Sequence, residues 1–323
     1  MGLSIETRPD FINEKEIFHL RKLGVTSVEL GVQTVYNDIL KKIKRGHDIA
    51  QTIKATKMLK DAGFKVSYQM MPNLPGSSIK KDVEMFKKLF NNPDFRPDYL
   101  KIYPLAILKN TGVYRLWKNK KHKPYTDNQL KNLLKEIKKE IPRYVRIQRV
   151  IRDIPSQEIE AGTKISNLRQ VIHSESKKEG WSCQCIRCRE VKDDFNPKEK
   201  IKIFRQDYRA SQGKEIFLSF ENSKRKKLYS LLRARIPSQN NSLFQKLPVL
   251  KNSLIIREIH TYGQQIPLKK KEKSPQHKGL GKKLIKEIEK TSLKEFGIKK
   301  IAIIAATGTR NYYRKQGYRL KDT

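Results

Sequence analysis

Three cysteines and two glycines carry most of the chemistry this sequence can offer. Cys183, Cys185 and Cys188 form a C-x-C-x-x-C cluster. That spacing suits one metal centre, because thiolates are ligands for Zn2+ and also hold iron–sulfur clusters. They are the only cysteines in the chain. Three in one short cluster do not make a disulfide framework, so they point to a metal site in a reducing, cytoplasmic setting. A closed site needs a fourth ligand, and His173 is the nearest histidine in the sequence. Gly279 and Gly281 lie in the segment QHKGLG, which begins at Gln276 and leads into a long helical pattern. Glycines there let the backbone approach a bound group, and the free N–H groups of a helix N-terminus then face an anion. A pyrophosphate is the natural guest.

The elements that must position these residues follow from periodicity. LSIET at the start reads as a strand. Residues 27–32 form a short apolar run typical of a buried parallel strand, and residues 48–63 have helical spacing with Asp48 as cap and Gly63 as stop. Strands at 65–71, 99–105 and 144–150 alternate with helices at 80–90 and 125–142. This rhythm predicts a parallel α/β sheet or barrel over residues 1–155. Residues 156–198 are polar and contain the cysteines. Residues 199–323 predict a second α/β unit. It has a hairpin at 215–222 and 227–237, a strand at 253–263, the glycine loop and helix at 276–297, and a strand at 298–307. A short helix, a turn and a last strand occupy 308–320.

Composition narrows the partners. Lys and Arg number 71 against 33 Asp and Glu, a net charge of +38 on 323 residues. The natural partner of such a field is a polyanion, and a nucleic acid fits better than a small acidic substrate. The segments KKIKRGH, LWKNKKHKPY, RYVRIQRVIRD and PLKKKEKSPQHK concentrate the charge, the second and third with Tyr or Trp among it, so phosphate contact and base stacking are both available. Arg143, Arg146, Arg149 and Arg152 recur every three residues. A helix would gather them on one face and a strand would split them between two. No apolar run approaches the roughly 18–20 residues of a membrane span, and the start lacks the pattern of a secretory signal.

Gln276-x-x-Gly279-x-Gly281, followed by a strand and by Tyr313, Lys315, Gly317 and Tyr318, resembles the GNAT acyl-CoA transferases. In that family the loop holds the coenzyme A pyrophosphate, and a late tyrosine protonates the departing thiolate. Tyr313 occupies that catalytic position, and Tyr312 that of a coenzyme contact. The likeness extends further. SIETRPD, VELGVQTVYNDILKKIKRGH, MMPNLPG, CQCIRCREV, REIHTYG and IAATGTRNYYRKQGYRL occur in one order, and together they resemble the catalytic subunit family of Elongator.

That resemblance implies an α/β chain of three parts. These are the C-terminal half of a radical S-adenosylmethionine (SAM) TIM-like partial barrel (1–155), a small Cys-rich metal-binding linker (156–198) and a GNAT N-acetyltransferase-like domain (199–323). It implies a tRNA uridine(34) acetyltransferase that binds tRNA and acetyl-CoA in C5 carboxymethyl modification of the wobble uridine. Glu258, Ile259, His260 and Thr261 would flank the coenzyme, and Gln276, Gly279, Leu280 and Gly281 would form its loop. Glu6, Arg8 and Gln33 would meet polar groups of SAM. The family uses SAM and a four-iron four-sulfur cluster, but its cluster cysteines precede SIETRPD and do not coincide with Cys183, Cys185 or Cys188. The expectation is therefore an N-terminal radical SAM half on a separate chain, zinc or another metal in the linker, a possible homodimer, and no membrane partner. Two rivals share the same residues. One is a protein or histone lysine acetyltransferase, disfavoured because basic peptides would be repelled. The other is a non-enzymatic tRNA-binding scaffold or inactive fragment.

Overall fold

Strands and helices alternate from the start because apolar residues switch between periods of 2 and 3.6. The computed structural model describes residues 2–192, 196, 198–238, 242–263 and 279–321. The first unit runs β1 (Leu3–Thr7), α1 (Glu14–Lys22), β2 (Val25–Gln33), α2 (Asn37–Lys42), α3 (Ile49–Asp61), β3 (Lys65–Met70), α4 (Ile79–Asn91), β4 (Tyr99–Ile102), β5 (Ile107–Leu108), α5 (Gly112–Lys118), α6 (Asp127–Lys139) and β6 (Arg146–Val150). Its main sheet is parallel throughout, in the order β1-β2-β3-β4-β6. Local signals fix the helices. The Asp48 carboxylate accepts from the Gln51 N–H at 2.8 Å while the Gln51 side chain accepts from the Asp48 N–H at 2.9 Å. Thr126 and Gln129 repeat this capping box on α6.

Alternation along the strands divides the sheet into two unlike faces. Val28, Leu30 and Val32 of β2, Val66, Tyr68 and Met70 of β3, and Leu100 and Ile102 of β4 join the helices in one core. The opposite face carries Ser27, Glu29, Gly31 and Gln33, then Lys65, Ser67 and Gln69, then Tyr99 and Lys101, and Gln148 of β6. Parallel barrels ordinarily fill that side with Val, Ile and Leu, so a polar inner face is a departure.

β7 (Ile159–Ala161) returns to pair with β5, and α7 (Leu168–Lys178) and α8 (Ile186–Arg189) follow. The second sheet is built from β8 (Ile201–Ala210), β9 (Gly213–Asn222), β10 (Leu228–Ile236), β11 (Ser253–Thr261) and β12 (Lys300–Ile303), ordered β12-β11-β10-β9-β8. α9 (Leu243–Lys246) precedes β11, α10 (Leu280–Phe296) links β11 to β12, and α11 (Arg310–Arg314) follows. β8 to β11 are antiparallel, whereas β11 and β12 are parallel. α10 packs Leu284, Ile285 and Ile288 on this sheet.

The structure adds one strand to the expected set, corrects two expectations and decides the arginine row. β8 carries no apolar alternation clear enough to read, since Lys202, Arg205, Asp207 and Arg209 break up its apolar residues and Ile203 is itself exposed, yet it forms the sheet edge. The strand at 298–307 shrinks to Lys300–Ile303, and the expected last strand is absent among the described residues: Tyr318 leaves the helix turn with no strand pairing and donates from its hydroxyl to Glu289 at 2.6 Å. The arginine row is split as a strand requires. Arg143 donates to the Arg225 carbonyl at 2.9 Å, Arg146 pairs with Glu190 at 2.6 Å, and Arg149 pairs with Asp153 at 2.8 Å.

The two sheets meet across buried charge. Arg257 holds Asp98 through two bonds of 2.6 and 2.7 Å and Glu215 at 2.7 Å. Arg235 joins Glu215 at 2.8 Å and Asp61 at 2.6 Å. Arg233 joins Glu258 at 2.7 Å, and Lys60 lies 3.7 Å from both Asp98 and Glu215. Lys60, Asp61 and Asp98 belong to the first unit and the arginines to the second, so this network is the joint between them.

Candidate functional site

β11 and β12 are paired only from Ser253–Lys300 to Ile256–Ile303. Beyond that register they part, and Glu258, Ile259, His260 and Thr261 of β11 keep only β10 as a neighbouring strand. α10 begins beside the gap. Gly279 is its N-cap in the left-handed region (φ 68°), and among the described residues no side chain caps the first turn. N–H groups at such a helix start can meet an anion, with the helix dipole favouring negative charge. A Cβ at Gly281 would lie 2.9 Å from the Tyr312 hydroxyl oxygen, 3.6 Å from Ile259 Cδ1 and 3.9 Å from Thr261 Oγ1. Gly281, Tyr312, Ile259 and Thr261 therefore converge, and the space belongs to a backbone approached closely. These features suit a coenzyme diphosphate.

Other candidates take different places. The Glu258 carboxylate accepts from the Tyr99 hydroxyl and from Arg233 Nε, so it serves the joint. His260 is exposed, with its ring centroid 4.4 Å from that of Tyr262. Leu280 is 5% exposed and anchors α10 to the core. Tyr313 packs with Leu284 and Ile288, and burial raises its phenol pKa. Tyr312, rather than Tyr313, touches the glycine loop. Tyr313 instead borders a cavity of about 360 Å³ shared with the first unit. Gln276 and the basic segment around it lie outside the described residues.

At the C-terminal ends of β1 and β2, Arg8 pairs with Asp10, and Gln33 sits in the left-handed region (φ 69°), a backbone cost that recurs at functional sites. Arg45 reaches across to donate to the Gly31 carbonyl at 3.0 Å. A Cβ at Gly31 would lie 2.3 Å from Arg45 Nη2 and 3.0 Å from Gln33 Nε2. Burial, then the neighbouring Arg8, lowers the Arg45 pKa, and burial lowers that of His47. Glu6 is exposed on β1 beside this group. Arg45 and His47 escaped the sequence reading as site residues because KKIKRGH reads only as charge. Glycine at position 31 in an otherwise side-chain-bearing strand was the available signal.

The cysteine sulfurs lie within 4.8 Å of one another, with Cys183 and Cys185 buried. Hydrogen bonds from the Cys183 and Cys188 thiols, with Lys138 nearby, draw the Cys185 thiol well below its ordinary pKa. Lys138 Nζ lies 3.8 Å from Cys188 Sγ. Such a sulfur set fits a thiophilic metal ion. Among the described residues His173 does not join it. α7 puts that side chain in solvent, bordering the same groove as Cys188. The groove, about 610 Å³, is lined by Lys138, Arg169, Lys177, Arg187 and Lys192, with Glu190 as the one acid among the described residues, a surface whose charge could meet phosphates. The Ile186 N–H bonds to the Val145 carbonyl at 2.9 Å, which places the cysteines at the N-terminal end of β6. Arg8 and Gln33 lie at the opposite ends of their strands, so the cysteines do not fit a SAM-cleaving cluster beside those residues.

Comparison with known proteins agrees with this architecture. Residues 1–89 match the Radical SAM superfamily model and residues 97–178 the Radical SAM C-terminal domain model. A "tRNA uridine(34) acetyltransferase" of Methanocaldococcus jannaschii is 47% identical over 326 residues, covering 98% of this chain and 60% of that protein. One from Dehalococcoides mccartyi is 42% identical over 334 residues, covering 99% and 70%. "Elongator complex protein 3" of Saccharomyces cerevisiae is 39% identical over 325 residues, covering 99% and 58%. The solved archaeal Methanocaldococcus infernus Elp3 with N-terminus deletion superposes with a TM-score of 0.90 at 44% identity, over 99% of this chain and 76% of that one. The chain thus spans 60% of the length of its Methanocaldococcus relatives.

Proposed function

The chain belongs to the family of tRNA uridine(34) acetyltransferases and Elongator complex protein 3, and we propose that it carries the acyl-CoA-binding and tRNA-binding parts of an enzyme that modifies C5 of the wobble uridine. The observation that carries this reading is the N-terminus of α10, with no side-chain cap among the described residues, beside the gap between β11 and β12. In this GNAT-like unit the first-turn amides take the diphosphate, and Ile259, Thr261 and Tyr312 flank the arm that follows. Tyr313, its phenol kept protonated by burial, supplies a proton to the departing thiolate. The basic groove beside the cysteines takes tRNA phosphates. Arg8, Gln33 and Arg45 hold the polar groups of SAM, with Glu6 facing its ammonium. SAM and an iron–sulfur cluster, when bound, supply the carbon radical that the C5 chemistry requires. Cluster ligands would come from residues other than these 323, so no step here depends on them.

The test is calorimetric. Wild-type chain binds acetyl-CoA, and Gly281→Val, whose side chain would collide with Tyr312, weakens it by about tenfold or more without changing the melting curve. tRNA binding falls steeply between low and physiological salt, as phosphate contacts demand. A chain that binds neither ligand refutes the reading.

A further inference from the structure

Six lysines and arginines are buried among the described residues: Lys60, Lys138, Arg189, Arg233, Arg235 and Arg257. Five of them meet a carboxylate. Lys60 and the three arginines of the joint share Asp61, Asp98, Glu215 and Glu258, and Arg189 holds Glu221 at 2.9 Å. Lys138 is the exception. It is 1% exposed, pairs with no carboxylate among the described residues, and places its ammonium 3.8 Å from Cys188 Sγ. Its neighbours on α6 behave otherwise: Lys131 and Lys135 turn to Glu175 of α7 at 3.4 and 2.7 Å. Arg169, near the start of α7, is a second cation on the same sulfurs. All three cysteines act on its charge. Its Nη2 donates to the Ile147 carbonyl at 3.1 Å, and its Nη1 is buried with no hydrogen-bond partner among the described residues. Glu190, the acid of the groove beside them, is engaged by Arg146 and Arg187 at 2.6 and 3.1 Å.

We infer that the thiolates of the cysteine centre are the counter-ions of Lys138 and Arg169, and that these two cations set the charge and the metal affinity of that centre. A buried ammonium without an anion is costly, and a metal-bound thiolate is the anion on offer beside Lys138. The charges close. Three thiolates round a divalent ion sum to −1, and Lys138 brings the sum to zero. Arg169 ties the centre to the parallel sheet. The Ile147 N–H bonds to Cys185 while the Ile147 carbonyl accepts from Arg169, so one residue of β6 is held by a metal-ligating sulfur and by a cation at once. Cys188 also lines the basic groove, where a centre left at −1 would cancel part of the positive field. Both cations act through sulfur and are positioning residues, in the way that groups behind metal ligands orient them and tune their donor strength.

The experiment reads the metal site and not activity. The full chain is stripped of metal under reducing conditions and titrated with Zn2+ against a chromophoric chelator. Lys138→Met should weaken Zn2+ binding by about 10–100-fold. Lys138→Arg, which keeps the charge, should recover most of that loss. The stripped Lys138→Met chain should melt no earlier than stripped wild type, since Met fills the space of the lysine stem and no metal-bound thiolates remain to balance. With Co2+ in place of Zn2+, the sulfur-to-cobalt charge-transfer bands of Lys138→Met and of Arg169→Gln should move to longer wavelength, because sulfur electrons lie higher without a facing cation. Wild-type Zn2+ affinity in Lys138→Met, or bands that stay in place in both variants, overturns the inference, as does a wild-type chain that binds neither ion. An affinity loss that Lys138→Arg does not relieve, accompanied by early melting of the stripped Lys138→Met chain, marks a packing role and overturns it as well. Should Lys138→Met not fold, the Co2+ bands of Arg169→Gln decide.

Discussion

Removing the Asp98 carboxylate is the sharpest perturbation of the joint between the two sheets. Lys60, Arg233, Arg235 and Arg257 supply four buried cations, and Asp61, Asp98, Glu215 and Glu258 supply four anions. In Asp98→Ala the count becomes four against three. Arg257 loses a bidentate partner, and Lys60 is left with Glu215 and the Arg96 carbonyl at 2.8 Å. The Val66 N–H, which bonds to Asp98 at 2.9 Å, is stranded as well. Breaking a buried pair from one side costs about 3–5 kcal/mol, and a stranded buried N–H about 1–3 kcal/mol. Against a total stability of about 5–15 kcal/mol, Asp98→Ala should come close to unfolding the chain. Balance can be restored from the other side. Asp98→Ala with Lys60→Met leaves three cations and three anions, so the double variant should be more stable than the two single losses sum to, by about 1–3 kcal/mol. Arg205→Ala, on the exposed Asp207 and Glu295 pair, should cost about 1 kcal/mol or less. Urea unfolding at fixed pH measures all four. A cost for Asp98→Ala no larger than for Arg205→Ala, or strict additivity in the double variant, would refute the balanced network.

Lys60 gives a pH signature. Burial lowers its pKa from 10.5 to about 8 in the fold. Between those values the unfolded chain binds more protons, so stability attributable to Lys60 rises with pH through this window, by up to about 3 kcal/mol. The difference in unfolding free energy between wild type and Lys60→Met should follow that rise, and parallel profiles from pH 7 to 11 would sink it. The linker makes a compositional prediction. Purified chain should carry about one thiophilic metal ion, measurable by elemental analysis, and Cys185→Ser should lose it and melt earlier. Full metal content in Cys185→Ser would remove the trio as its ligands.

How much of this could be read from residues alone depended on the range of the signal. Local signals read well: Asp48 caps the start of α3, Gly63 follows its end (φ 91°), and Gly279 caps α10. The cysteine trio and the glycine loop were legible because each lies within a few residues of sequence. The joint was not. Arg233, Arg235 and Arg257 look like any surface arginines in a chain with 71 basic residues, yet they are 0–1% exposed. Only the pairing of β10 with β9 and β11, and the docking of that sheet on α3 and β4, buries them beside Asp61 and Asp98. Tyr312 and Tyr313 show the same limit. On one short helix Tyr313 is buried and its neighbour Tyr312 exposed, and sequence spacing could not say which meets the loop.

Directionality explains why charge suits this joint. An apolar interface gains free energy with area and tolerates sliding, whereas a bidentate guanidinium–carboxylate pair accepts a narrow range of angles. Arg257 grips Asp98 at the head of β4 with both amines, while its Nη2 also holds Glu215 of β9 and its Nη1 also donates to the Phe64 carbonyl at 2.9 Å just before β3. One side chain thus fixes β11 against two strands of the first unit. The next residue on that strand, Glu258, ties to Tyr99, and the one after, Ile259, borders both the glycine loop and the shared cavity. Rotation of the second sheet about this joint would carry Ile259 and the gap beside it away from Ser27 and Lys65. The network therefore sets the alignment of the glycine-loop side of the second sheet with the strand ends, and the cavity's two walls stay in register because three consecutive residues of β11 perform consecutive tasks.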